Sequence, residues 1–65
     1  MESITFTRKL VIKTLEDYFG DVSLIPLTEE EIHHIILHSL ERKNEQNETP
    51  FHMIVHDLVY EYITT

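Results

Sequence analysis

Segment 27–43, LTEEEIHHIILHSLERK, leaves this chain the least freedom, because it fixes both where a helix starts and which of its faces is buried. Thr28 followed three residues later by Glu31 is a capping box. The Thr28 hydroxyl accepts from the Glu31 amide, and the Glu31 carboxylate accepts from the Thr28 amide. Glu29, Glu30 and Glu31 place negative charge in the first turn and Arg42 and Lys43 place positive charge in the last, both favourable against the helix dipole. Ile32, Ile35, Ile36, Ser39 and Leu40 recur at i, i+3, i+4, i+7 and i+8, the spacing of one buried face. A helix over 29–43 is predicted.

Two further helices follow from the same reasoning. Over 8–19, Val11, Ile12, Leu15, Tyr18 and Phe19 fall at helical spacing, and Gly20, the only glycine, stands where a left-handed residue ends a helix. Over 50–63, Thr49-Pro50 reads as a capping hydroxyl with proline at the first helical position, where no amide hydrogen is missed. Phe51, Ile54, Val55, Leu58, Val59 and Tyr62 continue as an unbroken apolar stripe. Residues 1–7 are expected to be a frayed or extended lead-in, since Ile4 and Phe6 alternate with Ser3, Thr5 and Thr7 as in a strand that has no partner. The apolar link carrying Val22, Leu24 and Ile25 is expected to pack across the helix ends, with Ile25 held extended before Pro26. Residues 44–48 read as a polar, mobile loop. The expected architecture is all-α, a small three-helix bundle of antiparallel or orthogonal helices.

With 65 residues the chain is expected to be a single domain, 1–65, near the lower limit for independent folding, and without cysteine it has neither disulfides nor thiolate metal sites to help. Self-association is the usual remaining aid. No apolar run reaches the roughly 18 residues of a membrane span, and the N-terminus lacks the basic flank and apolar core of a signal peptide, so a cytoplasmic protein is expected. The net charge of −7 opposes direct binding to nucleic acid phosphates or anionic lipid and favours a basic protein partner.

Chemistry-bearing motifs are scarce. His34/His38 and His52/His56 have the i, i+4 spacing that can grip a metal from one helix face, with Glu30 one turn before His34 as a complementary carboxylate. His34, His38 and His56 project away from the apolar stripes rather than towards a shared cavity, and no glutamate follows the first histidine as in zinc proteases. No metal or other cofactor is therefore expected, and these four histidines stand only as candidate ligands. Histidines beside acidic residues are also potential pH sensors. Ser3, Ser23 and Ser39 have no glycine-framed elbow, and the carboxylates of Glu29 to Glu31 are accounted for by the cap, so no catalytic residue is assigned and no enzyme is expected. The basic residues Arg8, Lys9 and Lys13 lack the interleaved aromatics of a nucleic-acid platform.

What remains is surplus apolar surface. Phe6, Leu10, Leu37, Met53 and Tyr60 fall outside the main stripes. Single exposed apolar residues are ordinary, but five on so short a chain point to an interaction surface. The expected function is a small acidic, non-enzymatic protein-interaction or regulatory module that binds a partner and self-associates, as a homodimer. Two alternatives are an acidic DNA-mimicking inhibitor of a nucleic-acid-binding protein and a small histidine-based metal-binding protein.

Residues 27–63 also resemble a known family. The acid-capped LTEEEI at 27–32, the basic ERK at 41–43 and the third-helix run HMIVHDLV at 52–59 are similar to the ComN-type post-transcriptional regulators, small bacterial cytoplasmic proteins whose third helix carries a His-x-Ile-Val-x-Asp-Ile pattern. The resemblance covers a little over half the chain, which lacks the tryptophans of that family and has a thinner basic cluster. It implies a non-enzymatic regulator acting through partners.

Overall fold

The computed structural model describes residues 3–64 and, among them, an all-α bundle without strands. It consists of α1 (Ile4–Phe19), a 3₁₀ turn (Val22–Leu24), α2 (Glu29–Glu45) and α3 (Phe51–Thr64), and each helix packs against the other two. None of these helices is long and apolar enough to cross a membrane.

The core joins one stripe from each helix. Val11 and Leu15 come from α1, Ile32, Ile35 and Ile36 from α2, and Phe51, Ile54, Val55, Leu58 and Val59 from α3. Fully burying an aliphatic or aromatic side chain of this size contributes about 1.5–3 kcal/mol, so these ten residues are the main source of stability. The stripe of α1 differs from the expected one at both ends. Thr7 is buried one turn before Val11, Ile12 and Phe19 are only partly buried, and Tyr18 is exposed with its ring against His56. Tyr62, expected in the stripe of α3, is 38% exposed.

The start of α2 is as the sequence predicts, with both bonds of the Thr28–Glu31 capping box present, and Gly20 ends α1 at φ 89°. The start of α1 corrects the expectation of a frayed lead-in over 1–7. Residues 1 and 2 lie outside the described residues, but from Ile4 the chain is helical. Ser3 is the N-cap, its hydroxyl accepting from the Phe6 amide at 3.0 Å, and Thr7 Oγ1 donates to the Ser3 carbonyl at 2.7 Å. With no strand to pair with, the alternation of Ile4 and Phe6 carries no weight against a satisfied cap. Both side chains are left about half exposed.

The entry to α3 also differs. The amides of Met53 and Ile54 donate to the Pro50 carbonyl, so Pro50 precedes the first helical residue, and the Thr49 hydroxyl makes no cap bond among the described residues. Between α1 and α2, Ile25 is extended before Pro26 as expected, and Ile25 and Leu27 pack on the core. Val22 and Leu24 do not, being 52% and 63% exposed. A 3₁₀ turn has three residues per revolution, so its side chains point three ways and cannot all reach the helix ends. Residues 44 and 45, expected in the polar loop, continue α2, and the link that follows is bonded back to the helix: Lys43 Nζ donates to the carbonyls of Asn47 at 3.2 Å and Thr49 at 2.9 Å.

Candidate functional site

A helix residue next to a buried stripe sits on its shoulder, about 100° round, and where two shoulders meet at a distance a groove opens. This occurs between α1 and α3. Leu10, Lys13, Thr14 and Asp17 line one wall and His52, Met53, His56 and Asp57 the other, around a cavity of about 440 Å³. That volume is within the range of about 300–1,000 Å³ typical of binding pockets. Leu10 is partly buried against the core, and Met53 is half exposed. Thr14 adds little polarity, because its hydroxyl donates to the Leu10 carbonyl of its own helix at 2.8 Å.

The polar groups of the groove are of two kinds. His56 is engaged: its Nε2 lies 3.4 Å from the Tyr18 hydroxyl, with the ring centroids 5.6 Å apart. Lys13, Asp17 and Asp57 are exposed, and no hydrogen bond or ion pair joins them to other described residues. Asp17 and Asp57 are the chain neighbours of Tyr18 and His56, the pair in contact across the two helices. The groove thus combines an apolar floor with a rim of charged side chains that make no ion pair among the described residues, an arrangement suited to binding.

Of the surplus apolar residues, the structure brings Leu10 and Met53 to this groove. Phe6, Leu37 and Tyr60 are 50%, 42% and 54% exposed but do not line it, and Leu37 stands on α2, which contributes nothing to it. Thr14, Asp17 and Asp57 carry no motif in the sequence, and only their positions one or two residues from core residues mark them as shoulder residues. The four candidate metal ligands stay in two separate pairs. His34 and His38 meet edge to face on α2, centroids 5.2 Å apart, and His52 and His56 lie in the groove. Among the described residues no group of three or more histidines and carboxylates is placed to hold a metal ion.

Outside the groove, exposed polar contacts tie the helices together. Arg8 bonds both carboxylate oxygens of Glu29, Arg42 reaches Glu61 at 3.3 Å, and the Tyr62 hydroxyl donates to Glu31 at 3.3 Å. The hydrogen bond from the Thr28 amide, helped by the Thr28 and Tyr62 hydroxyls, holds the Glu31 carboxyl below the usual carboxylate range. Tyr62 is shifted up, by partial desolvation first and by the charge of Glu31 second.

The family model of the YqzH-like protein matches residues 1–65, the whole chain. This chain belongs to the YqzH-like family. No curated protein and no solved structure matches it. For this YqzH-like chain the groove between α1 and α3 is the feature most open to a functional reading.

Proposed function

We propose that this YqzH-like chain is a small, non-enzymatic, cytoplasmic interaction or regulatory module that acts by binding a protein partner and by associating with itself as a homodimer. The observation that carries this reading is the set of large apolar side chains that the bundle leaves out: Phe6, Leu37, Met53 and Tyr60 are each 42–54% exposed while the core closes without them. Covering such groups contributes roughly 25 cal/mol per Å² of apolar area, before the entropic cost of association. The resemblance of residues 27–63 to the ComN-type regulators supports the regulatory half of the reading, and the net charge of −7 favours a protein over a nucleic acid as partner.

Sedimentation equilibrium at micromolar concentration tests the self-association. A dimer is expected, weakened by Leu37→Glu or Tyr60→Glu, because either change places a charge in the contact. A wild-type chain that stays monomeric, with neither variant altering its behaviour, refutes that half of the reading.

A further inference from the structure

We infer that the groove between α1 and α3 is a docking site for a basic amphipathic helix of a partner protein. This rests on the partner-binding reading above and names its site and the chemistry of its occupant. The wall from Leu10 to Asp17 runs over seven helical steps of α1, about 10 Å at 1.5 Å per residue, enough to seat two turns of a helix. Its floor offers Leu10 and the flexible, polarisable Met53, which adapts to apolar anchors of varied shape.

The rim decides the charge of the occupant. Asp17 and Asp57 come from different helices, line the same groove and make no ion pair among the described residues, on a chain that is already strongly acidic. Lysine or arginine beside the apolar stripe of an incoming helix would supply what both carboxylates lack. Lys13, one turn before Asp17, gives the rim a direction, with cations welcomed at the Asp17 side and opposed at its own. A helix rich in leucine and lysine therefore fits, and an acidic segment does not.

The test uses the full chain, labelled with ¹⁵N, and a synthetic amphipathic helix of leucine and lysine, about 18 residues long so that it is helical in isolation. Amide shifts should concentrate at 10–17 and 52–57. The double variant Asp17→Asn, Asp57→Asn should weaken binding about tenfold, as for the loss of two partly exposed ion pairs. Glu30→Gln with Glu41→Gln removes the same charge from the exposed face of α2 and should change binding less than about twofold, while Lys13→Glu should tighten it about threefold. Shifts spread over the whole acidic surface, or equal losses in the two double variants, overturn the inference. So do shifts at the groove that grow with the chain's own concentration before peptide is added, because the occupant is then a second copy. A chain that is monomeric by sedimentation yet receives the peptide in the groove sinks the dimer and keeps this site. A dimer disrupted by Leu37→Glu that shows no localised peptide binding does the reverse.

Discussion

The link between α1 and α2 carries Val22, Leu24, Ile25 and Leu27, whereas residues 46–49 between α2 and α3 include no apolar side chain at all. On composition the first should be anchored and the second loose. In the structure only Ile25 and Leu27 of the first link reach the core, and Val22 and Leu24 stand in solvent. The second link is gathered by Lys43, whose ammonium group collects two of its carbonyls. A link is anchored where its backbone acceptors find a donor or where its geometry aims a side chain inward, and hydropathy alone reports neither.

A graded truncation series would sharpen this contrast most. Ile36→Ala, at a fully buried position, is expected to cost about 2–5 kcal/mol, Ile25→Ala about 1 kcal/mol and Leu24→Ala less than about 0.5 kcal/mol by urea denaturation. If Leu24→Ala costs as much as Ile25→Ala, the first link is packed along its length and the contrast disappears.

Lys43→Met keeps most of the aliphatic stem and removes both hydrogen bonds to the second link. A loss of about 1 kcal/mol is expected, together with faster hydrogen exchange at the Thr49 amide, which closes the turn onto Gln46. Unchanged exchange there would show that the loop holds its shape without the lysine.

The smallest expected effect concerns the end of the first link, where Thr28 meets Glu31. Because the folded state holds the Glu31 carboxyl below its ordinary range, the stability it lends is present above its unfolded pKa of about 4.3 and is lost as pH falls through the lower, folded value. Urea midpoints measured from pH 7 to pH 3 should therefore fall less steeply for Glu31→Gln than for the wild type below about pH 4.5. Parallel profiles would mean that the carboxylate is not stabilised by the cap.

Local chemistry was the legible part of this molecule. The Thr28–Glu31 box, the positive φ at Gly20 and the stripes of α2 and α3 depend on residues within about two turns of one another, and the sequence displays them directly. The cap at Ser3 is masked in the sequence because Ile4 and Phe6 imitate a strand, and Thr49 resembles a cap because the register of the first α3 turn on Pro50 is not written in residue types. The groove was legible only in pieces. Leu10, Met53, His52 and His56 each stood out, but that α1 and α3 set these residues opposite one another depends on interhelical packing, which no single-helix periodicity encodes.

Thr7 and Ser39 are fully buried, and each donates its hydroxyl to its own helix, Thr7 to the Ser3 carbonyl and Ser39 to the Ile35 carbonyl at 2.8 Å. Neither therefore acts as a peg between helices. The interhelical bonds of Arg8, Arg42, Tyr18 and Tyr62 all lie at the solvent-exposed edge. The interior is held by shape, and contact between apolar shapes resists separation far more than it resists sliding. The register of α1 along α3 is thus a softer coordinate than their spacing, and the two walls of the groove can shift past one another at less cost than they can part.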